Sequence, residues 1–485
     1  MRRLLTAGCV LTLSLLARTA ASDPANDAEG RVPELEAAVR SIAFDKSFKD
    51  AEVGIEIRDV ETDKVLAAHH EHALLNPASN AKVYTAAAAL ALLHGSHRYK
   101  TTLSGTIKNG TLTGPIVLRG YGDPSLTTSD LVAFASDVKN HGVKKIEGDI
   151  HVDQRFYDEQ TTPPAFEQQP NEWASFRAPV SATAVNENTL MLTVRPGAVG
   201  APAHCVFDPP GFVDVEGDVK TGESGADSVG LALSGNGRRM SAKLSGTIGA
   251  DARVVRYTRR VEDPLLLPGY VLRAAFDEVG LKVTGDVKLG AAAKGTVIAH
   301  HESEPLSMIL YALGKSSDNF YAEMVFKSIA GETKARPASS KDSADIVQKW
   351  VEKVGAGDTG LVVKNGSGLF DANRVTASSL TRLLRYAYRD SAISNEFVAQ
   401  LAIGGVDGTL HKRFRNTRAH RSVRAKTGTL EDAIALSGYV LGPPGKGPIA
   451  FSIMFNKVAG KGSGARAAAD KLVEMLEKRL WAGSR

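Results

Sequence analysis

Two apolar helical stretches each open on a serine motif, Ser79-Asn80-Ala81-Lys82 and Ser317-Asp318-Asn319, and 235 positions separate Lys82 from Ser317. The sequence between them has a different texture. From about residue 99 it becomes short alternating runs broken by Gly, Asp, Asn and Pro, as in Thr101 to Thr113, Ile116 to Arg119 and Ile146 to Val152. Residues 205 to 260 continue that pattern with many glycines and acids. Alternation of period two builds half-buried strands, not amphipathic helices. If the two serine motifs meet, the chain must be a helix-containing body interrupted by strand-rich material.

The elements outside the interruption fit such a body. Residues 51 to 68 alternate like a strand pair, with Val53, Ile55 and Ile57 on one side and a polar turn at Glu61-Thr62-Asp63. Ala81 to Leu93 is rich enough in Ala and Leu for a buried helix, so Ser79 sits at a helix start with Lys82 one turn on. Helical texture resumes near 298 and continues at Ser307 to Leu313, Asn319 to Ile329, 344 to 354 and 378 to 388. Strands follow at Ala433 to Leu441 and Ile449 to Asn456, and Ala467 to Leu480 reads as an amphipathic helix. Its acids Asp470, Glu474 and Glu477 argue for packing on the sheet over membrane binding. The expected fold class is α+β. The expected division is 22–98 and 298–485 for the outer body, with insertions at 99–200, 201–262 and 263–297.

Length and composition agree: 485 residues exceed one ordinary domain, and 43% hydrophobic with 23% charged residues supplies several cores. The first 21 residues read as a secretory signal, with Arg2-Arg3 ahead of an apolar run from Leu4 to Ala17 and small residues from Ala20 to Ser22. Cys9 comes too early in that run for a lipoprotein cleavage box. Removing Arg2, Arg3 and Arg18 takes the formal charge from +5 to about +2, too little for a nucleic-acid partner. Cys205 is then the one cysteine left, so no internal disulfide can form.

A third motif, Lys426-Thr427-Gly428, leads into a strand-like run. Together the three supply a serine nucleophile, an amine to act as its base, a hydroxyl and amide to relay protons, and a cationic strand. That is the inventory of acyl transfer through a serine ester. Each spelling alone is weak, because Ser136-Asp137-Val138-Lys139, Ser234-Gly235-Asn236 and Lys220-Thr221-Gly222 repeat all three. The copies run in the wrong order. Ser136 falls mid-helix, and Lys220 falls in a Gly- and acid-rich loop.

The first set, by contrast, resembles the penicillin-recognising serine enzymes. More narrowly, the chain is similar to the class C low-molecular-mass penicillin-binding proteins of the penicillin-binding protein 4 type. Supporting stretches include Gly120-Tyr121-Gly122-Asp123-Pro124, Ala178-Pro179-Val180-Ser181-Ala182, Asn186-Glu187-Asn188-Thr189 and Gly366-Ser367-Gly368-Leu369. The resemblance implies a transpeptidase-like domain, an antiparallel sheet flanked by helices, split by β-rich insertions. It implies D-Ala-D-Ala carboxypeptidase or endopeptidase work on peptidoglycan peptides, acylation by β-lactams, no cofactor and no metal, and a periplasmic setting peripheral to the membrane at most. A homodimer is compatible with it.

By that resemblance Ser79 is the nucleophile, Lys82 its base, Ser317 the relay, Asn319 the residue holding Lys82 and a substrate amide, and Lys426 the cation. Thr427, Gly428 and Thr429 bind substrate, with the Ser79 and Thr429 N–H groups as oxyanion hole. Asp153, beside Phe156, is the candidate acid for the stem peptide's diamino acid, and a turn cap is the alternative role for it. Glu431 stands where relatives present a polar contact. Phe370-Asp371-Ala372-Asn373 departs from the expected Ser-Arg, so a cationic contact is expected to be missing there.

Two rivals remain at this point. A serine β-lactamase shares the trio, but no Glu-x-x-Asn deacylation motif lies between the second and third motifs. A non-catalytic penicilloyl receptor would be expected to lack one of the reactive groups. His69-His70-Glu71-His72 and His300-His301-Glu302 are expected to be surface polar residues, since neighbours on a strand point to opposite faces.

Overall fold

The computed structural model describes residues 30–225, 227–290, 295–333 and 336–483. The expected signal, 1–21, lies outside the described residues. A six-stranded antiparallel sheet forms the frame, in the order Ala402–Ile403, Val423–Thr429, Ala433–Val440, Ile449–Asn456, Glu52–Asp59, Val65–His69. Strands from before and after the long interruption therefore share one sheet, with Glu52 paired to Asn456 and Asp59 to Ile449.

Its central strands are buried on both faces, and their alternation sorts side chains between two cores. Ile434, Leu436 and Val440 face the helices Pro33–Ala43 and Gly462–Leu480. Ala435 and Tyr439 face a helical layer that contains Ala81–Leu93, Asn319–Thr333 and Ala377–Arg389. The closing helix packs on the sheet as its pattern suggested. Leu472, Val473 and Leu476 are fully buried there, and Asp470 is ion-paired with Arg413.

The interrupting residues build a second sheet in the order Val287–Leu289, Ile150–Asp153, Thr111–Gly120, Lys100–Lys108, Thr296–Glu302. Helices Thr128–Asn140 and Leu267–Glu278 contribute to its apolar core. Smaller sheets follow, one ordered Val255–Arg260, Thr189–Arg195, His204–Asp208, another Gly230–Asn236, Arg239–Ser245, Val213–Gly217. One apolar core runs through all of them, from Leu103 to Ala299.

Three local expectations need correction. The outer body does not resume at 298 with helical texture: Thr296–Glu302 is a strand that pairs with Lys100–Lys108, so the interruption runs on to Glu302. Lys220-Thr221-Gly222 is a short strand parallel to Thr247–Gly249, not a loop, because Thr221 is buried and its hydroxyl accepts the Gly197 N–H at 2.8 Å. His69 and His70 do not point apart. The strand ends at His69 and His70 takes φ 43°, which stacks the two rings 3.9 Å apart. The Ser136 reading holds: its hydroxyl donates to the Val132 carbonyl one turn back, at 2.9 Å.

Candidate active site

The three motifs converge on one cleft of about 730 Å³, whose lining includes Ser79, Ser317, Asn319 and Thr429. Ser79 sits in a single turn, Ala78–Asn80, that runs directly into Ala81–Leu93. Ser317 follows a π-helical turn, Ala312–Ser316, and Asn319 begins the next helix. Ala78 and Ser317 both hold left-handed backbones, φ 46° and 61°. Such conformations are costly for residues with a Cβ and persist where surroundings over-determine them.

Lys82 is fully buried, and its Nζ lies 3.1 Å from Ser79 Oγ. Nζ also donates to Asn319 Oδ1 at 2.8 Å and to the Ser367 carbonyl at 2.7 Å. Burial pulls the Lys82 pKa down to about 7, against the opposing pull of Glu323 and Asp318. A neutral amine has two N–H donors and one lone pair. Two carbonyl oxygens take both donors, which leaves the lone pair for the Ser79 hydroxyl.

The rest of the pocket fixes those carbonyls. Glu323, itself buried, accepts the backbone N–H groups of Gly366 and Ser367 at 3.1 and 2.8 Å. Gly368, at φ 74°, brings the loop so close that a Cβ there would stand 1.8 Å from the Ala78 carbonyl oxygen. On the other side, Lys426 Nζ donates to Ser317 Oγ at 2.7 Å and to the Thr427 carbonyl at 2.8 Å. Burial, then the nearby Lys82, holds the Lys426 pKa below its ordinary value. Thr427 Oγ1 bonds Thr409 Oγ1 at 2.8 Å.

Asp153 is not brought to this cleft. Its side chain is fully buried, both oxygens are bonded to the Arg155 guanidinium at 3.0 and 2.8 Å, and one also accepts the Arg155 N–H. Arg119 lies 3.7 Å away. A carboxylate so engaged has no face left for a substrate ammonium, and its role is the turn cap weighed above. The interruption instead reaches the cleft through Gln168, Gln169 and Phe176. No motif marked that loop in the sequence; Phe176 just ahead of Ala178-Pro179 was the available signal.

The segment after Gly368 presents no free cation to the cleft: Arg374 lines it further along, but its guanidinium is bonded to Asp371 at 2.6 and 3.0 Å. Glu431 and Asp432 line the same cleft, exposed, with no ion pair within 4 Å among the described residues.

The model of the D-Ala-D-Ala carboxypeptidase 3 (S13) family matches residues 35–479. The chain belongs to this family. Membership makes it a D-Ala-D-Ala carboxypeptidase, a hydrolase among the serine peptidases. A D-alanyl-D-alanine carboxypeptidase of Actinomadura sp. (strain R39) is 33% identical over 476 residues, covering 94% of this chain and 87% of the relative. The carboxypeptidase DacB of Haemophilus influenzae is 25% identical, over 81% and 83% of the two chains. The crystal structure of penicillin binding protein 4 from H. influenzae superposes with a TM-score of 0.75 at 23% identity, over 89% of this chain and 97% of that one. The S13 carboxypeptidase fold is thus the α+β arrangement expected, and among its described residues no helix is long and apolar enough to cross a membrane.

The S13 trio depends on a close approach at Gly428. A Cβ there would stand 2.8 Å from Asn80 Nδ2 and from the Pro77 carbonyl oxygen. Gly428→Val should push the strand off the Ala78–Asn80 turn and cut carboxypeptidase activity by about 10²-fold, the scale of a 1 Å misplacement. Release of D-Ala from a pentapeptide measures it, and an unchanged rate in a folded variant would refute the packing argument.

Proposed function

We propose that the enzyme works through an acyl-enzyme on Ser79. The Ser79 oxygen attacks the carbonyl of the penultimate D-Ala, the C–N bond to the terminal D-Ala breaks, and the serine proton ends on the leaving amine. Lys82 takes that proton, and Ser317, bonded to Lys426, passes one to the departing nitrogen. Positioned proton transfer of this kind is typically worth about 10²–10⁴ in rate. Asn319 holds Lys82 and a substrate amide. Lys426 supplies the field and Thr427 the hydroxyl for the terminal carboxylate, while the Ser79 and Thr429 N–H groups receive the oxyanion. Water then releases the acyl group.

One observation carries this reading: the buried amine of Lys82 with both N–H donors spent on carbonyls and 3.1 Å from Ser79 Oγ. The H. influenzae protein with this fold has been crystallised with a β-lactam, which supports acylation of Ser79 by the same class of compound. A Bdellovibrio bacteriovorus peptidoglycan endopeptidase shares the fold at a TM-score of 0.51 and 16% identity, and the open cleft supports cleavage of cross-links beside carboxypeptidase work. Such substrates place the enzyme outside the cytoplasmic membrane, in the periplasm or cell envelope.

Fluorescent penicillin should label the wild type and leave Ser79→Ala unlabelled. D-Ala release from a pentapeptide should vanish in that variant as well. A wild type that is labelled but neither releases D-Ala nor cuts cross-linked dimers would be a receptor, and the hydrolase reading would fail.

The state of Lys82 sets a pH dependence. Its protonated form cannot take the serine proton, so acylation should fall as pH drops through about 7 and level off above it. A rate unaffected by pH across that range would remove Lys82 as the base.

The unpaired carboxylates Glu431 and Asp432 favour a stem peptide whose side-chain amine is free and charged. Glu431→Lys should slow such a peptide by roughly two- to fivefold relative to its N-acetylated form, the scale of an exposed ion pair. Equal slowing of both peptides would exclude charge recognition there.

A further inference from the structure

The loop over residues 164–177 leaves the interrupting sheets, crosses to the catalytic body and returns. Its far end touches the reactive groups: the Phe176 carbonyl accepts Asn319 Nδ2 at 3.0 Å, and Asn319 Oδ1 in turn takes Lys82 Nζ at 2.8 Å. Phe166 packs edge-on against Phe370 at 5.8 Å, and Asn365 Nδ2 donates to the Pro164 carbonyl at 2.9 Å. The catalytic body holds this loop only at points, through Asn319 at the start of the helix Asn319–Thr333, through Phe370 and through Asn365. Short 3₁₀ turns at Phe166–Gln168 and Ser175–Arg177 are its sole regular structure. Backbone carbonyls in such a segment need partners from elsewhere.

Two buried arginines provide them. Arg177 donates from Nε to the Phe166 carbonyl at 2.9 Å and from Nη1 to the Glu172 carbonyl at 3.3 Å. Arg260, the last residue of Val255–Arg260, lies 88 positions beyond Glu172 in the chain. Its Nε donates to the Glu172 carbonyl at 2.7 Å and its Nη2 to the Pro170 carbonyl at 2.7 Å. Its backbone N–H takes the Trp173 carbonyl at 3.0 Å, and its guanidinium covers the Trp173 ring at 4.5 Å. The side chain is 5% exposed, and Glu262 at 2.9 Å is its carboxylate partner. A planar fork with five donors suits this task and an ammonium does not.

We propose that Arg260 is a positioning residue for the serine site, fixing the 164–177 loop so that the Phe176 carbonyl orients Asn319 and, through it, Lys82. The catalytic body then does not hold its own base fully in register. One of the four hydrogen-bonding atoms of the Asn319–Lys82 chain belongs to the interruption, and Arg260 secures it from the interruption's far side. The Asn319 amide illustrates why this matters. Its oxygen and nitrogen are distinguished by Lys82 on one side and Phe176 on the other, since a turned amide would present N–H groups to Lys82 and an oxygen to a carbonyl.

The inference rests on the acyl-enzyme reading above, and the experiment separates the two. Acylation by fluorescent penicillin is followed in the full-length wild type, Arg260→Ala and Arg260→Lys, with hydrogen exchange of residues 164–177 measured in each. Arg260→Ala should lower the limiting acylation rate by about 10- to 100-fold, more than it weakens the complex formed before acylation, with faster exchange confined to the loop. Arg260→Lys, which can reach one carbonyl at a time, should fall between. A labelled wild type with an equally fast Arg260→Ala, or a loop that exchanges no faster in it, overturns the positioning role alone. A wild type inert to penicillin counts against the acyl-enzyme instead. If Arg260→Ala does not fold, the Lys variant decides: a wild-type rate in it, with the loop loosened, overturns the proposal.

Discussion

Burying an amine without neutralising it by a carboxylate is the constraint around which the site is assembled. Lys82 has no acid within ion-pairing distance among the described residues. Glu323 and Asp318 act on it only at longer range, and Glu323 spends its oxygens on backbone N–H groups. Charged, Lys82 would carry the desolvation cost of an unpaired ammonium; neutral, it needs two acceptors and one donor. The protein supplies that set from three directions: the Ser367 carbonyl, the Asn319 amide and the Ser79 hydroxyl. Each contributor then needs its own support, which accounts for Glu323 under the 366–367 backbone and for Gly368 against the Ala78 carbonyl. The second buried amine, Lys426, is under the same constraint, since burial and then the nearby Lys82 hold its pKa below the ordinary value.

What could be read from the sequence divides along a physical line. Elements with strong periodicity, such as Ile449 to Asn456 or the closing helix, were legible because burial is written residue by residue into their composition. The convergence of the three motifs was legible through order and context, since Ser79 and Ser317 each stand just ahead of a helix, although Lys426 lies inside the strand Val423–Thr429 and does not lead one. Asp153 was misread because a lone acid beside aromatic residues does not disclose its partner. Arg155, two positions on, claims both oxygens, and the pairing geometry is set by tertiary folding. The 164–177 loop was illegible for the opposite reason. Its conformation is dictated by Arg177 and Arg260 through backbone carbonyls, which every residue type possesses, so no side-chain pattern records it.

Asn186-Glu187-Asn188 shows how a stretch recognised by resemblance acquires a physical cause. All three residues are left-handed, with φ of 48°, 55° and 50°. Three such residues in succession cost several kcal/mol at about 1–3 each, so their surroundings must hold them. Asn188 Nδ2 bonds the Pro179 carbonyl and Ser181 Oγ, both at 3.0 Å, and Asn186 Oδ1 takes the Thr128 N–H at 3.0 Å. The two amides thus pin the turn to both neighbours, and the residue between them is aimed by default. That residue is Glu187, half-buried, with its pKa pushed up to about 7 by burial and then by Asp318 of the second motif.

The consequence bears on the division between the two bodies of the molecule. Asp318 caps its own helix by accepting the Tyr321 N–H at 2.8 Å, and burial raises its pKa. A carboxyl from the interruption at this point means that the second motif is flanked on one side by the Glu187 turn and on the other by the Phe176 carbonyl. The Phe176 carbonyl bonds Asn319, while Glu187 acts on Asp318 through charge alone. The Ser317-Asp318-Asn319 turn, strained at φ 61°, takes one hydrogen bond from the interruption among the described residues, the one from Asn319 Nδ2 to the Phe176 carbonyl. The 164–177 loop is therefore a structural partner of the second motif, and the long separation between Lys82 and Ser317 is what delivers it.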